Sequence, residues 1–321
     1  MRLIFAGTPP FAAEILEAAA AWHEVALVLT QPEKPQGRGL GKKPSAVKAK
    51  ALALGLPVAE PEMLDAAFLQ ETAALSPDWL VVAAYGKILP PGLLLLPRFG
   101  AVNVHASLLP RWRGANPVAR AIEAGDETAG ISLMKMEKRL DSGPVWCKKS
   151  LAISPEDTCG SLSCKLAALG REMLLEFLLQ AQEGTLPQPE TQDERLATTA
   201  RKFSKEELFL DWKRNAASLE RQVRAMMPDP AVRTLFRQKL MKVFKARPQD
   251  ASCRGDPGEV IGVTKTGIEV AAAEGSSLVL EEVQLEGKKR LPAWDCAQGL
   301  RLREEEKFAL PHPRDEQGSR A

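Results

Sequence analysis

The stretch "RLIFAGTPPFAAEILEAAAAWHEVALVL", residues 2–29, decides the fold class of this 321-residue chain. Its first six residues form a short apolar run that ends at Gly7, and the segment after that glycine repeats its apolar residues at helical spacing. "EVALVL", residues 24–29, is a second strand candidate. A strand, a helix and a strand in this order predict a βαβ unit, and therefore a parallel sheet.

Further strand candidates extend this sheet. "WLVVAAYG", residues 79–86, is a continuous apolar run, which is typical of a central strand buried on both faces. "GAVNVHAS" (residues 100–107) and "GISLMKM" (residues 130–136) follow, and the pattern predicts an amphipathic helix over residues 161–184. We therefore expect a Rossmann-like α/β domain with a parallel-rich sheet over residues 1–189.

The sequence changes character near residue 189. "TLPQPETQDERLATTARKFSKEEL", residues 185–208, is polar, contains proline and has few large apolar residues, which predicts a linker at residues 190–208. After it come a helix candidate at residues 216–227 and short strand candidates with a turn about every 8–12 residues. This pattern is typical of a small barrel or sandwich, so we expect a smaller, OB-like β-barrel domain over residues 209–321.

The composition limits the compartment and the kinds of site. The five cysteines are odd in number and form no CxxC pair, and the chain has only three histidines, so we expect no zinc site. No apolar run approaches the roughly 18 residues of a membrane span. The first apolar run is also too short for the core of a signal peptide. We therefore expect a cytoplasmic protein that holds no metal and contacts no membrane.

The net charge of +2 hides two basic segments. Residues 31–50 carry a net charge of +5 and residues 201–247 one of +8, so the rest of the chain carries −11. Basic segments in an otherwise acidic chain indicate a polyanion bound at defined places, although two solvated basic faces would leave the same pattern. The candidates to contact the polyanion are Arg38, Lys42 and Lys43 in the glycine-rich stretch "GRGLGKK".

The usual signatures of nucleotide binding are missing. Three residues, not the four of a phosphate-binding loop, separate Gly37 from Gly41, and Lys43 stands where that loop has a serine or threonine. "AGTPP" after the first strand has one glycine and two prolines and does not match GxGxxG. The sequence therefore gives no support to an ATP-dependent or dinucleotide-dependent reaction.

The candidate active site begins at "NVHASLLP", residues 103–110. Residues two apart in a strand point to the same side, so Asn103 and His105 face one way near the end of a predicted strand. In open α/β sheets, ligands bind at the carboxyl ends of the strands. An amide and an imidazole at this edge offer two hydrogen-bond donors that can stabilise the oxyanion formed when a nucleophile attacks a carbonyl group.

A carboxylate would complete this constellation. Asp141 lies in the turn-like "DSG" after the strand candidate "GISLMKM", and a parallel sheet would bring that strand end to the edge that carries His105. The carboxylate can orient the imidazole or accept a proton from an attacking amine. The three residues predict direct acyl transfer between two bound substrates. Asparagine and aspartate in turns also serve as backbone caps, which leaves a structural role open.

Together these motifs resemble those of the folate-dependent formyltransferases. "NVHASLLPRWRGANP" (residues 103–117) is similar to the family signature, "VVAAYGKILP" (residues 81–90) to the strand before its folate pocket, and "GISLMKMEKRLDSGPV" (residues 130–145) to its aspartate motif. "LDWKRNAASLERQVRAMMPDPA" (residues 210–231) and "SLVLEEVQLEGKKRLPAWDCAQG" (residues 277–299) resemble parts of its C-terminal domain. The likeness covers nearly the whole chain and is greatest to members that act on a charged tRNA.

The resemblance implies which residues form the site. Asn103, His105 and Asp141 would be catalytic, the first two binding the formyl oxygen and the third orienting His105 and moving protons. The residues that would bind the folate are Tyr85, Gly86, Ser107, Leu108, Leu109 and Pro110. Arg38, Lys42 and Lys43 in the basic loop would bind tRNA together with the C-terminal domain.

The resemblance also implies the reaction. A formyl group would pass from the co-substrate 10-formyltetrahydrofolate to the α-amino group of methionyl-initiator tRNA, without a metal or ATP and without an obligate protein partner. Two alternatives stay open. The acceptor could be another amine, such as an amino sugar or glycinamide ribonucleotide, or the chain could be a non-catalytic member that only binds folate or RNA.

Three positions depart from the family pattern. Arg139 stands where glycine is usual, Asn116 where alanine is usual and Ala119 where glutamine is usual. A glycine at position 139 can adopt a positive φ, which arginine adopts poorly. The pose of Asp141, two residues later, therefore depends on how the turn accommodates Arg139.

Overall fold

A computed structural model describes residues 1–32, 34–36, 41–249 and 253–310. The chain divides into two compact units. The first comprises Met1–Val118, Glu127–Ile153 and Ser161–Arg201, and the second comprises Ala119–Asp126, Ser154–Gly160 and the chain from Lys202 onwards.

The first 200 residues of the chain contain both strands and helices. The strands are β1 (Arg2–Gly7), β2 (Glu24–Leu29), β3 (Lys34–Gln36), β4 (Gly41–Lys43), β5 (Val58–Ala59), β6 (Trp79–Ala83), β7 (Ala101–His105), β8 (Arg113–Gly114), β9 (Thr128–Lys135), β10 (Val145–Ala152) and β11 (Thr199–Ala200). The helices are α1 (Pro10–Trp22), α2 (Ala46–Ala53), α3 (Ala66–Ala74), α4 (Pro91–Leu95), α5 (Pro117–Ala124) and α6 (Cys159–Glu183).

Seven of these strands form one sheet in the order β10–β9–β7–β6–β1–β2–β5. Every pairing from β7 through β5 is parallel, which confirms the predicted parallel-rich α/β sheet. The last two strands differ, because β9 runs antiparallel to β7 and β10 antiparallel to β9. The chain leaves β1 towards β2 on one side and later returns to β6 on the other, and ligands bind at such a reversal of strand order in open α/β sheets.

The strands at the centre of this sheet are covered on both faces. All five residues of β6 and all five of β7 are buried, as the continuous apolar run of β6 predicted. Helix α6 approaches β7 closely at Gly170, where an added Cβ atom would lie 3.1 Å from Val104 Cγ1 and 3.4 Å from Ile15 Cδ1. Val104 alternates with Asn103 and His105 along the strand, so α6 covers the face opposite to these two polar residues.

The second unit contains an antiparallel barrel and most of α5. From Lys202 onwards its described helices and strands are α7 (Ala216–Ala225), β12 (Val232–Phe236), β13 (Lys239–Gln249), β14 (Val260–Thr264), β15 (Gly267–Ala271), β16 (Ser277–Leu285), β17 (Leu291–Pro292), α8 (Ala293–Leu300) and β18 (Phe308–Ala309). The strand order is β14–β15–β16–β13–β12–β18, with β17 paired to β16. Hydrogen bonds from Val260 N to Glu306 O (2.8 Å) and from Phe308 N to Gly258 O (2.7 Å) join the two ends of this order. The predicted small β-barrel is therefore confirmed.

The structure also bears on metals, disulfides and membranes. All five cysteines are free thiols. Within the described ranges, no three residues of the types His, Cys, Asp and Glu are grouped so that they could hold a metal ion. None of the helices in these ranges is both long enough and apolar enough to span a bilayer.

Replacing Gly170 with valine should lower the free energy of unfolding of the first unit by about 1–3 kcal/mol, because the new side chain must displace Val104 or Ile15 in a packed interior. Gly299→Val is the matched control, since Gly299 also lies in a helix but an added Cβ atom there meets no atom within 4 Å. Urea unfolding measures both variants. Equal losses at the two positions would show that α6 is not constrained by its contact with β7.

Candidate active site

Strand β7 carries the first two candidate residues. Asn103 and His105 are 7% and 6% exposed, and the strand's alternation places both on the side that α6 does not cover. Parallel pairing of Val82 with Asn103 sets them next to the carboxyl end of β6. The structure thus puts these two side chains at the sheet edge that the sequence predicted.

Asp141 reaches them by a route that the sequence did not predict. Because β9 is antiparallel to β7, with His105 opposite Ser132, the end of β9 lies beside the start of β7. The argument that parallel strand ends bring Asp141 to His105 is therefore wrong. Instead, the connection between β9 and β10 folds back along β7, where Asn103 Nδ2 donates a hydrogen bond of 3.3 Å to Asp141 Oδ1.

The carboxylate of Asp141 is the centre of the cluster. It is 8% exposed, and Gly114 N donates to its Oδ2 atom at 2.8 Å. His105 Nδ1 lies 3.8 Å from the same oxygen, within the range of an ion pair but too far for a direct hydrogen bond. A strand, a turn and a loop distant in sequence therefore converge on one buried carboxylate.

The loop after β7 orients the His105 ring. The Nε2 atom lies 3.1 Å from the Trp112 carbonyl oxygen. A carbonyl can only accept a hydrogen bond, so Nε2 carries a hydrogen in this arrangement. Nδ1 is the ring atom that faces Asp141.

The aspartate turn accommodates Arg139 without strain. The residue with the left-handed conformation is Asp141 itself, with φ of 48°, and Arg139 does not have a positive φ. The side chain of Arg139 is 74% exposed and forms an ion pair of 3.3 Å with Glu194. The glycine that the turn needs is Gly143, where an added Cβ atom would lie 1.9 Å from the Lys135 carbonyl oxygen.

Tyr85 and Gly86 lie in the loop that follows β6, at the reversal of strand order. The Tyr85 carbonyl oxygen accepts hydrogen bonds from Thr8 Oγ1 (2.9 Å) and Gln31 Nε2 (2.8 Å), and Gly86 has φ of 79°. The Tyr85 side chain belongs to the apolar core around β1 and β6, and its burial raises the pKa of the hydroxyl. The Tyr85 ring is therefore part of the core, and both acceptor positions of its carbonyl oxygen are occupied.

The segment from Ser107 to Pro110 is held from β9. Ser132 Oγ donates to Ser107 O at 2.6 Å and accepts from Leu109 N at 3.0 Å. Lys148 Nζ donates to the Leu109 carbonyl oxygen, and the Leu109–Pro110 peptide bond is cis. The Leu109 side chain is buried against Met134 and Val145, whereas Leu108 and Pro110 are half-buried.

Sequence reasoning missed several residues that complete this site. Arg113 is buried, and its guanidinium hydrogen-bonds to Gln192 and Glu194. That contact holds the pKa of the Glu194 carboxyl below its ordinary value. Residues 199–200 pair with β8, and Thr198 Oγ1 accepts from Trp112 N at 2.9 Å. Residues 190–200 are mostly polar, and this composition predicted a linker. Nothing in their sequence pattern indicated these contacts.

The basic loop is only partly described. Arg38 lies outside the described residues. Lys42 and Lys43 belong to β4, which pairs with β3 as a short hairpin, and Lys43 is exposed. The exposure of Lys43 fits a polyanion contact but does not by itself indicate a ligand.

Comparison with protein families matches both parts of the chain. Residues 1–178 match the formyl transferase family, and residues 202–301 match the formyl transferase C-terminal domain. A methionyl-tRNA formyltransferase of Dechloromonas aromatica is 45% identical over 314 residues, which cover 97% of this chain and 100% of that protein. One from Pseudomonas paraeruginosa is 48% identical over 293 residues, covering 91% of this chain and 93% of that protein.

A solved structure shares the fold. HypX from Aquifex aeolicus, in complex with tetrahydrofolic acid, superposes with a TM-score of 0.66 at 18% sequence identity. The match covers 96% of this chain and 48% of HypX, so this chain spans about half the length of that protein. At this identity the likeness concerns the fold alone.

Ser132→Ala should lower the free energy of unfolding by about 1–3 kcal/mol, because it leaves the buried Leu109 N–H and Ser107 carbonyl without their partner. Ser150→Ala on the neighbouring strand β10 is the control, since Ser150 is exposed. Urea unfolding compares the two variants. A loss at Ser132 no larger than at Ser150 would mean that the serine does not hold this segment.

Proposed function

This chain belongs to the formyl transferase family, and from that premise we propose that it transfers the formyl group of 10-formyltetrahydrofolate to the α-amino group of methionyl-initiator tRNA. The proposal rests on one observation above all: Asn103, His105 and Asp141 converge in a chain whose relatives with 45% and 48% identity are named methionyl-tRNA formyltransferase. The reaction forms an amide bond between the formyl carbon and the α-amino nitrogen and breaks the bond between that carbon and N10 of the folate. The proton that the amine loses ends on N10 as tetrahydrofolate leaves. The reaction belongs to translation initiation and therefore to the cytoplasm.

Asp141 accepts the proton that the amine loses. Each of its carboxylate oxygens receives one hydrogen bond, from Asn103 and from Gly114. A carboxylate has about four acceptor positions, so the group keeps capacity for the ammonium hydrogen of the acceptor. Held in this way, it acts as the general base for the reacting nitrogen.

Asn103 and His105 stabilise the negative charge that develops on the formyl oxygen. The Asn103 amide carries two hydrogens, and among the described residues one of them goes to Asp141. We assign the other to the formyl oxygen. His105 holds Nε2–H on the Trp112 carbonyl, so Nδ1 is the ring atom left to face the oxyanion, and it donates only as N–H. The Asn103 amide and the His105 ring are both held in position before the reaction, which is how such a site stabilises a transition state.

We assign the folate co-substrate to the carboxyl ends of β6 and β7, at the reversal of strand order. Its proposed ligands are Ser107, Leu108, Leu109 and Pro110 after β7 and Tyr85 and Gly86 after β6. Leu108 and Pro110 offer half-buried apolar surface to the flat rings of a folate, whereas the Tyr85 ring is packed in the core. When bound, the folate supplies the activated formyl group.

The tRNA is bound by charge. Arg38, Lys42 and Lys43 contact its phosphates, and so does the second unit, which contains most of the basic segment 201–247. We assign formyl transfer to residues 1–189, tRNA binding to residues 209–321 and the connection to residues 190–208. Relatives named for the methionyl-tRNA reaction match along both parts, so no observation favours an amino sugar or glycinamide ribonucleotide as acceptor.

Asp141→Asn should lower kcat by about 100- to 10,000-fold, because an amide cannot accept the proton of the amine. The affinity for methionyl-tRNA should change little. Asp295→Asn, at an exposed aspartate of α8, is the control. Formyl-methionyl-tRNA is measured after incubation with 10-formyltetrahydrofolate, and tRNA binding by filter retention. Wild-type turnover in Asp141→Asn would remove Asp141 from the chemistry, and absence of product from wild-type protein that binds the tRNA would contradict the proposed function.

Combined alanine substitutions at Arg38, Lys42 and Lys43 should flatten the dependence of log affinity on log salt concentration. Each lost phosphate contact removes roughly 0.7–0.9 from the slope, so the triple variant should lose about 2 to 3. Binding of methionyl-tRNA is measured at several salt concentrations.

The control for this triple variant removes the same number of charges elsewhere. Arg2, Lys149 and Arg171 are ion-paired with glutamates, and their replacement by alanine should leave the slope nearly unchanged. Equal slopes for wild type and the loop variant would exclude the basic loop from the tRNA interface.

A further inference from the structure

We propose that Gln192 is a positioning residue that sets the geometry of Asp141 for catalysis, an inference that rests on the proposed function. Gln192 lies outside every motif that the sequence analysis identified. Its side chain is 8% exposed, and the hydrogen bonds around it connect the aspartate turn to the loop that follows β7.

The amide nitrogen of Gln192 holds the aspartate turn. Nε2 donates to the carbonyl oxygen of Asp141 at 2.9 Å and to that of Gly143 at 2.7 Å. Asp141 adopts a left-handed conformation, which is unfavourable for a residue that is not glycine. Two hydrogen bonds from one side chain to the turn stabilise that conformation.

The amide oxygen of Gln192 holds the loop. Oε1 accepts hydrogen bonds from Arg113 Nε (3.1 Å) and Arg113 Nη2 (2.9 Å). On its other edge, the Arg113 guanidinium donates to both carboxylate oxygens of Glu194, at 2.9 and 3.1 Å. The Arg113 guanidinium is therefore held on both of its edges. These contacts also hold the main chain of Arg113 in place.

The main chain next to Arg113 makes the two contacts that orient the catalytic groups. Gly114 N donates to Asp141 Oδ2, and the Trp112 carbonyl oxygen faces His105 Nε2. Gln192 therefore ties the segment that bears the carboxylate to the segment that binds it. Without the Gln192 side chain, the turn that bears the Asp141 carboxylate can move away from the Gly114 amide, which β8 keeps in place.

Only glutamine can both donate to the two carbonyl oxygens of the turn and accept two hydrogen bonds from Arg113. Its amide has two donors and two acceptor positions, and all four are used here. Glutamate has the same shape but cannot donate to two carbonyl oxygens, and lysine can donate but cannot accept from Arg113. Asparagine is one methylene shorter, so it cannot reach both partners from the same backbone position.

The backbone on each side of Gln192 is anchored independently of its side chain. Glu190 forms a two-way backbone hydrogen-bonded bridge with Val145, with both bonds at 2.8 Å. Residues 199–200 pair with β8. Because these contacts persist in a variant, we expect a substitution at Gln192 to change the geometry of the site and not the fold.

The experiment compares Gln192→Glu and Gln192→Met with wild type. The first keeps the shape and the acceptor but loses both donors, and the second keeps the approximate volume and loses every hydrogen bond. Gln180→Glu, at an exposed glutamine of α6, is the matched control. Three quantities are measured: kcat and KM for formylation of methionyl-tRNA, the thermal midpoint, and the exchange rate of the Gly114 amide hydrogen in protein labelled with [15N]glycine.

In both Gln192 variants we expect kcat to fall about 10- to 100-fold, as displacement of a catalytic group by about 1 Å does. KM for methionyl-tRNA should change less than about threefold. The Gly114 amide should exchange at least tenfold faster, and the Gln180→Glu control should match wild type in all three quantities. A fall in kcat with a nearly unchanged KM and a retained thermal transition is not produced by a loss of folding.

Wild-type kcat and unchanged Gly114 exchange in both variants would overturn the positioning role. So would a fall in kcat that comes with loss of the thermal transition in Gln192→Glu, because Gln192 would then serve the fold. Failure of the proposed function is seen separately, since wild-type protein would then form no formyl-methionyl-tRNA. The Gly114 exchange rate needs no substrate and still tests whether Gln192 holds the turn and the loop together.

Discussion

The buried carboxylate of Asp141 is the constraint on which the site depends. A carboxylate removed from water is costly unless hydrogen bonds replace its hydration. Asn103 supplies one bond from β7 and Gly114 supplies another from the loop after it. Because the two donors belong to different segments, the carboxylate can be satisfied only when strand, loop and turn are all in place. Burial of the Asp141 carboxylate therefore requires the same arrangement of strand, loop and turn that the proposed chemistry needs.

The surrounding structure divides this task between rigid and irregular elements. β7 lies inside a seven-stranded sheet and fixes Asn103 and His105, with α6 packed closely on the opposite face at Gly170. The aspartate turn and the loop at residues 108–114 are irregular. Their positions are therefore fixed by individual hydrogen bonds, as the position of β7 is fixed by strand pairing. Ser132 binds the loop near its start. Gln192 and Glu194 bind it near its end through the Arg113 guanidinium, and Gln192 reaches the turn as well.

Several features were predictable from sequence because they depend on local pattern. Continuous apolar runs identify β1 and β6, and the Asn103–His105 spacing places both side chains on one side of β7. The position of Asp141 was predicted for a reason that the structure contradicts, since the antiparallel β9 brings it to β7 by a folded-back connection. Arg139 shows the same limit. Arg139 replaces the usual glycine of the motif without backbone strain, because the residue with the left-handed conformation is Asp141.

The sequence by itself determined the class of the two domains, the polar pair on β7 and membership of a recognisable motif set. These follow from the periodicity of apolar residues and from residue types at fixed spacing, which act over a few residues. Only the tertiary structure decided which atoms meet Asp141, and that Gln192 joins the turn to the loop across about 50 residues of chain. The physical reason is that a hydrogen bond between distant segments depends on distances of a few ångströms. Those distances are set by the direction of the strands and by the path of the connections between them. The polar residues of a linker-like stretch have no periodic pattern that indicates strand direction or the path of the chain.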